Sequence, residues 1–255
     1  MPALIARRGI PMSRPALTTA TANLIARWTP YLDPELPSLR GLVRAGDVCV
    51  DVGSAAGLYS QALSHLAGPG GLVHSIEPLP FSHPVWSRVL GARERRNVVH
   101  HTMALGAEPG RAVMRVPFGA YGPATSRSFL ASGTTGLGST SGYRYHVDVV
   151  VETGTLDGLC ADAGLTRLDF VKIDVEGGEL HVLEGGRQTV EKFRPVLLIE
   201  IEARHTDRYA YSPDDVVEWL TARGYTMYAW RNGWHAVHRI CLHANNYLFR
   251  PAEPV

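Results

Sequence analysis

The sequence predicts an α/β domain whose mainly parallel sheet is doubly wound, with helices on both faces. Short apolar runs that end in turn residues alternate with segments of helical apolar spacing, as in VCVDVG (48–53) followed by LYSQALSHL (58–66). The 255 residues, 45% of them hydrophobic, are enough to bury one large core. Because ligands of such sheets bind at the carboxyl ends of the strands, functional residues are expected there.

The further elements follow from the same patterns. Strands are predicted over 48–53, 72–77, 97–102, 145–152, 169–174, 195–202, 225–230 and 246–250. Helices are predicted over 36–45, 58–66, 83–93 and 179–193, and from the N-cap Ser212 to Gly224. Residues 119–142 are rich in Gly, Ser and Thr and lack periodicity, which predicts a long functional or disordered loop.

Charge and cysteine content narrow the class of protein. A net charge of +1 gives no electrostatic reason to expect nucleic acid or an anionic membrane as the main partner. Three cysteines without a CxxC pair are typical of a reducing, cytoplasmic setting. No apolar stretch approaches the roughly 20 residues needed to span a bilayer.

Residues 1–35 are expected to form an N-terminal arm on a domain that covers residues 36–255. The arm is rich in arginine and its first acidic residue is Asp33, a composition that resembles an organelle transit segment. It lacks the apolar region and cleavage site of a secretory signal, and we favour a cytoplasmic protein. An apolar arm is also compatible with a homodimer.

Two neighbouring strand ends carry the residue types of a nucleoside site. Asp51 ends the first strand, and the turn that follows contains Gly53, which permits a tight turn, and Gly57, which allows close packing of the next helix. Glu77 ends the second strand, where it can accept hydrogen bonds from ribose hydroxyls. The four-residue glycine spacing differs from the GxGxxG of nicotinamide enzymes. The short loop at 103–106 is either an adenine wall or a plain turn.

Acidic residues are concentrated at two later strand ends. Asp174, Glu176 and Glu179 follow one strand, and Glu200 and Glu202 with His205 follow another. Asp174, Glu200 and Glu202 could hold a hard cation such as Mg²⁺, or they could bind sugar hydroxyls directly. Glu176 and Glu179 could instead be acids that favour a helix N-terminus.

These residues resemble the FkbM family of S-adenosylmethionine-dependent methyltransferases, over Gly46 to Arg250. The resemblance is carried by AGDVCVDVGSAAGLYS (45–60), SIEPLP (75–80), NVVHHTMALGAEPG (97–110), TLDGL (155–159), LDFVKIDVEGGELHVLEGG (168–186), RPVLLIEIE (194–202) and NNYLF (245–249). Many relatives have Ala-Asn where this chain has Ser54-Ala55, and residues 1–35 lie outside the resemblance.

The resemblance implies a Rossmann-like, seven-stranded class I methyltransferase that uses S-adenosylmethionine and yields S-adenosylhomocysteine. The implied cofactor residues are Asp51, Gly53, Ser54, Gly57, Ser60, Glu77, Met103, Ala104 and Asp174. The implied reaction is O-methylation of a sugar hydroxyl, on a small molecule or an oligosaccharide precursor. The alternatives are O-methylation of a macrolide- or polyketide-type natural product, and a non-catalytic nucleoside-binding member of the fold.

Methylation of a hydroxyl also needs a group that removes its proton, since a sugar hydroxyl is a poor nucleophile at neutral pH. The candidate bases are His146, His205 and Glu176, and Asp174 and Glu202 complete the predicted catalytic set. His146 is preferred, because it follows the Gly/Ser/Thr-rich loop, which is expected to close over the acceptor.

Overall fold

The computed structural model describes residues 33–79, 95–120, 122–241 and 244–252. All but the last three residues of the predicted N-terminal arm, and the whole of the predicted helix 83–93, lie outside these ranges.

The described residues form thirteen strands in two sheets. The strands are β1 (Val48–Val52), β2 (Leu72–Ile76), β3 (Val98–His101), β4 (Ala104–Leu105), β5 (Gly110–Gly119), β6 (Gly122–Pro123), β7 (Phe129–Leu130), β8 (Tyr145–Gly154), β9 (Phe170–Ile173), β10 (Val196–Glu200), β11 (Tyr225–Trp230), β12 (Trp234–Ala236) and β13 (Asn246–Pro251).

The main sheet has the strand order β12-β11-β13-β10-β9-β1-β2-β3. Strands β10, β9, β1, β2 and β3 pair in parallel, whereas β13 is antiparallel to both β10 and β11. The mainly parallel α/β architecture predicted from the sequence is therefore confirmed. The described sheet has eight strands rather than the predicted seven, because the short β12 pairs antiparallel with β11 at the edge.

Helical elements pack against both faces of this sheet. They are a 3-10 helix (Leu36–Gly41), α1 (Leu58–Ala67), α2 (Leu156–Asp162), α3 (Glu179–Glu184), α4 (Arg187–Phe193), α5 (Ala203–Thr206) and α6 (Pro213–Thr221). Strand alternation divides the core: Cys49 and Phe170 pack with the 3-10 helix and α1, whereas Val50 and Val171 pack with α2, α3, α4 and α6.

Two predicted helices differ in detail from the structure. The segment 179–193 forms α3 and α4 rather than one helix, with Gly185 and Gly186 at the break. The segment 36–45 forms only the short 3-10 helix. Ser212 is the N-cap of α6, as predicted, and forms a capping box with Asp215. None of the described helices is long and apolar enough to cross a membrane.

A second sheet, of five strands, was not predicted. Its centre is the antiparallel pair β5 and β8, flanked by β4, β6 and β7. It has a small apolar core of its own, which includes Leu79, Met114, Val116 and Val151. The predicted loop 119–142 lies within this unit, and residues 125–127 and 138–140 form 3-10 helices.

Candidate functional site

Four parallel strands bring the predicted site residues to one edge of the main sheet. The turn after β1 contains Gly53, Glu77 follows β2, Asp174 follows β9, and Glu200 ends β10. Residues of the second sheet and its connections lie over this edge, where they help to line two adjoining cavities.

The glycines of the first turn have local steric causes. Gly53 has a φ of 79°, and a Cβ there would lie 1.8 Å from the carbonyl oxygen of Asp174. Gly57 has a φ of 86° at the N-cap of α1, so its role is the left-handed backbone. Ser54 closes the turn, since its carbonyl accepts from Gly57 N and its hydroxyl accepts from Ser75 Oγ at 2.9 Å.

Backbone amides hold the carboxylate of Glu77. Ala55 N donates to Oε2 and Leu79 N donates to Oε1, both at 2.9 Å. The carboxylate therefore binds the turn after β1 to the end of β2. Each carboxylate oxygen has a second lone pair that can accept a further hydrogen bond, as the predicted ribose contact requires.

Asp51 and Ser60 lie beneath this turn, and neither lines the cavities. Asp51 is only 1% exposed, and Ser60 Oγ donates to its carboxylate at 2.6 Å. Burial raises the pKa of Asp51 to about 6, although the hydrogen bond from Ser60 acts in the opposite direction. The structure thus places these two residues as supports of the turn.

The first cavity has mainly apolar walls. Its volume is about 460 Å³, and its lining includes Val52, Ile76, Pro78, Ala104 and Leu105. Of the two predicted adenine contacts, Ala104 lies in this wall. Met103 packs instead against Gly154, where a Cβ would lie 2.2 Å from its terminal methyl group.

The second cavity is polar and has a volume of about 320 Å³. It shares Gly53, Pro78 and Val175 with the first cavity, so the two adjoin. Its remaining lining includes five carboxyl groups, two guanidinium groups and several smaller polar side chains. These are Glu77, Asp174, Glu176, Glu200, Glu202, Arg127, Arg204, Asn245, Thr125, Ser126 and Ser128.

Asp174 and Glu200 share a hydrogen bond at the edge of the sheet. Burial opposes ionisation of Asp174, but the Lys172 ammonium at 3.5 Å and the bond with Glu200 outweigh it, so the pKa of Asp174 is lowered. Burial and the neighbouring Asp174 carboxylate raise the pKa of Glu200 to about 11. The directions of the two shifts favour the ionised form of Asp174 and the protonated form of Glu200.

A second polar group is built from Glu176, His205 and Arg127. His205 Nε2 lies 3.1 Å from Glu176 Oε2 and 3.0 Å from Arg127 Nη1. Burial raises the pKa of Glu176 to about 8 and lowers the pKa of His205 to about 4. Both shifts favour the uncharged forms of these groups, in which Arg127 Nη1 donates to an imidazole that accepts through Nε2. His205 is 2% exposed and does not itself line the cavity.

The predicted Mg²⁺ ligands are not the group that the structure assembles. Among the described residues, ligand atoms of Glu176, Glu200 and His205 lie within 4.8 Å of one another, and only Glu200 belongs to the predicted set. Glu202 instead pairs with the guanidinium of Arg204. Of the three side chains in this group, His205 is already engaged by the guanidinium of Arg127.

The preferred base, His146, lies away from both cavities. Its imidazole is 3.2 Å from Thr140 Oγ1, close to the start of β8. The structure thus separates His146 from the strand-end acids with which it was grouped.

Sequence reasoning missed three cations and an amide in or near the second cavity: Lys172, Arg127, Arg204 and Asn245. Arg127 had a signal, since it is the single charged residue of the Gly/Ser/Thr-rich stretch 119–142. Arg204 had none that distinguishes it from a surface cation.

The chain is similar in fold to a solved structure, and similar over part of its sequence to two curated proteins. The chain superposes on the crystal structure of methyltransferase FkbM from Methylobacillus flagellatus KT with a TM-score of 0.50 at 19% identity, covering 82% of this chain and 45% of that one. The 2-O-methyltransferase NoeI of Sinorhizobium fredii is 41% identical over 51 residues, which are 20% of this chain and 21% of NoeI. The 31-O-demethyl-FK506 methyltransferase FkbM of Streptomyces tacrolimicus is 31% identical over 171 residues, covering 56% of this chain and 60% of that protein.

The fold, with its crevice at the carboxyl edge of a mainly parallel sheet, defines a Rossmann-like methyltransferase architecture. The family model of the FkbM methyltransferase domain matches residues 51–227. The chain belongs to the FkbM methyltransferase family. It spans less than two thirds of the length of the relatives described above.

Proposed function

We propose that this protein transfers a methyl group from S-adenosylmethionine to a hydroxyl oxygen of a sugar or glycan precursor. The observation that carries the proposal is the pair of adjoining cavities, one with apolar walls and one lined with acids and hydroxyls. A nucleoside donor and a polyhydroxyl acceptor need these two environments side by side.

The donor half of the proposal rests on the apolar cavity and on Glu77. Val52, Ile76, Ala104 and Leu105 offer an apolar surface of the kind that an adenine ring buries. Glu77 borders the neighbouring cavity with its carboxylate already fixed by two amides, so it is preorganised to accept from ribose hydroxyls. These residues fit the nucleoside part of S-adenosylmethionine.

The acceptor half rests on the second cavity. A sugar ring presents many hydroxyl donors, and carboxylate oxygens are strong acceptors for them. Asp174 is one-third exposed, and Glu202 lies beside it in a lining that also holds Asn245 and Ser126. The small size and polar lining of this cavity favour a monosaccharide unit.

Methyl transfer to oxygen forms a carbon–oxygen bond and breaks a carbon–sulfur bond, whose electron pair stays on sulfur. When bound, S-adenosylmethionine supplies the electrophilic methyl group. In our proposal Asp174 accepts the proton of the acceptor hydroxyl, because it is ionised and faces the cavity. Glu200 donates its hydrogen bond to Asp174 and keeps that carboxylate in place.

A natural-product hydroxyl is the second candidate acceptor. The observation that favours it is the 31% identity, over 171 residues, to a methyltransferase named for 31-O-demethyl-FK506. The same donor site and the same carboxylate would serve either acceptor.

Donor binding is tested by titration calorimetry with S-adenosylhomocysteine. We expect binding by the wild type and a loss of about 10- to 100-fold in affinity for Glu77→Ala, the effect of losing hydrogen bonds to a charged group. Glu152→Ala, which removes an exposed carboxylate on β8, is the matched control and should bind as the wild type does. If the wild type binds neither S-adenosylmethionine nor S-adenosylhomocysteine, the proposed function is wrong.

The two acceptor classes are separated by a transfer assay with methyl-labelled S-adenosylmethionine. Methyl glycosides of common hexoses and deoxyhexoses form one panel, and macrolides with free hydroxyls form the other. Label in the glycosides supports the sugar proposal, whereas label only in the macrolides replaces it with the second candidate.

A further inference from the structure

Lys172 is a fully buried cation that the mechanism above leaves without a role. It is one of two lysines among 25 basic residues, and its exposed fraction is 0%. Burying an ammonium group is costly unless charges and hydrogen bonds compensate, so its surroundings should show what retains it.

Groups on two other elements, β13 and α1, contact this ammonium. Lys172 Nζ donates to Asn246 Oδ1 on β13 at 2.7 Å, and lies 5.1 Å from the ring centre of Tyr59 on α1. The phenol of Tyr59 in turn donates to Asp33 Oδ2 at 2.7 Å. The ammonium is thus held mainly by groups of neighbouring elements, and the carbonyl of Ile173 on its own strand lies 3.5 Å away.

Four acids act electrostatically on this ammonium and favour its charged form. They are Asp33 and Glu35 of the N-terminal segment, and Asp174 and Glu200 at the carboxyl edge of the sheet. Of these four, Asp174 is in the cavity lining with its carboxylate oxygen 3.5 Å from Nζ. Asp174 directly follows β9 and is two residues from Lys172, a spacing that brings the two side chains to the same side of the chain.

We infer that Lys172 is a positioning residue, whose ammonium holds the Asp174 carboxylate toward the acceptor cavity. This inference rests on the proposed function, because the role of Asp174 does. If the ammonium is removed, the hydrogen bond to Glu200 becomes the strongest attraction on the Asp174 carboxylate. We expect this bond to draw the carboxylate along the sheet edge toward β10. Asn246 pairs in register with Glu200, so the same two strands carry both anchors.

The compact shape of an ammonium group suits this role. A guanidinium is larger and planar, and it would not fit a fully buried position between Tyr59 and Asn246 without moving one of them. Apart from Lys172 and Lys192, arginine supplies all the Lys and Arg side chains of this chain. A lysine at position 172 agrees with the need for a compact cation.

The test compares crystal structures of the wild type, Lys172→Met and Lys192→Met, each with S-adenosylhomocysteine. Methionine fills most of the lysine volume without the charge, and Lys192 is an exposed lysine of α4 that serves as the matched control. We expect the Asp174 carboxylate to move by about 1 Å in Lys172→Met, a displacement that can cost about 100-fold in rate. It should not move in Lys192→Met. An unmoved Asp174 in Lys172→Met overturns the inference.

A spectroscopic signature distinguishes positioning from a general structural role. The protein is labelled with carboxyl-¹³C aspartate for NMR, and the Asp174 signal is assigned as the one that disappears in Asp174→Asn. This signal should shift in Lys172→Met and stay in place in Lys192→Met. If Lys172→Met does not fold, Asn246→Leu keeps the ammonium but removes its oxygen anchor, and it should shift the same signal. An unchanged signal in a folded variant overturns the inference.

Donor binding separates this inference from the proposed function. If the wild type does not bind S-adenosylhomocysteine, the proposed function is wrong. The position of Asp174 can still be compared in the unliganded crystals, so each statement can fail without the other.

Discussion

At the scale of single residues, Glu176 combines a place in the lining of the second cavity with an unusual backbone conformation. Its φ is 57°, in the left-handed region that costs non-glycine residues free energy. That conformation directs the carboxyl group into a buried setting beside His205. Strain of this kind persists where the surrounding structure enforces it, which is typical of functional sites.

The strain at Glu176 leads to a stability prediction. Glu176→Gly and Glu176→Ala both remove the buried carboxyl group, and they differ mainly in tolerance of positive φ. We expect the glycine variant to be more stable by about 1 kcal/mol, as measured by urea unfolding. An alanine variant of equal or greater stability would show that the left-handed conformation is not strained in the protein.

The sequence predicted the candidate site residues that lie at the ends of strands. Glu77 and Asp174 were found because each follows a buried strand that could be recognised locally. The support role of Asp51 and Ser60 could not be predicted, since it depends on the hydroxyl contacts that form only when α1 packs on β1 and β2. Arg127 reaches the site from a distant loop, and no local pattern gives its destination.

At the scale of elements, two family motifs prove to be architectural. Arg194, of the Arg-Pro motif, has a φ of 49° at the end of α4, and its guanidinium donates to the carbonyl groups of Arg223 and Gly224 after α6. Gly185 and Gly186 separate α3 from α4 where the chain passes close to other backbone and to Leu156. The predicted single helix was wrong because the pattern of apolar residues does not show this close approach.

The packing at Gly185 gives a prediction that links an element to the donor site. A Cβ at Gly185 would lie 2.1 Å from the carbonyl oxygen of Gly106, which lines the first cavity. Gly185→Ala should therefore lower the free energy of unfolding by about 1–3 kcal/mol, the usual cost of overpacking. It should also weaken S-adenosylhomocysteine binding in calorimetry, because the Gly106 segment must move.

Gly136 provides the matched control for that variant. Its φ is not in the left-handed region, and a Cβ there would meet no atom within 4 Å. Gly136→Ala should leave both stability and donor binding close to those of the wild type. Equal effects of the two substitutions would rule out the steric explanation.

At the scale of the whole molecule, the two sheets differ in how far the sequence defines them. The main sheet is built from buried parallel strands, which appear as apolar runs. The second sheet depends on pairing β5 with β8, and β5 is half exposed, with charged Arg111 and Arg115 on its outer face. The second sheet forms through a long-range antiparallel contact, which local sequence patterns do not show. The sequence therefore predicted β8 but left β5 unassigned.

Buried titratable groups on strands of the main sheet give the folded molecule a specific pH dependence. Burial raises the pKa of Asp51 from 3.8 to about 6, so between these values the folded state binds a proton that the unfolded state releases. The contribution of Asp51 to stability is therefore fully present below pH 3.8 and is lost as the pH rises through 6. His74 acts in the opposite direction, because burial lowers its pKa from 6.5 to about 4.

Asp51→Asn isolates the carboxylate contribution, because an asparagine oxygen can still accept from Ser60. The free energy of unfolding of the variant minus that of the wild type should increase by about 2 kcal/mol between pH 4 and pH 7. This value follows because a pKa difference of one pH unit is worth about 1.4 kcal/mol. The measurement is urea unfolding at both pH values, with Asp162→Asn as the control for removal of an exposed aspartate. A constant difference across that range would mean that folding does not raise the pKa of Asp51. The ordered serine hydroxyls would then stabilise its charge as much as burial opposes it.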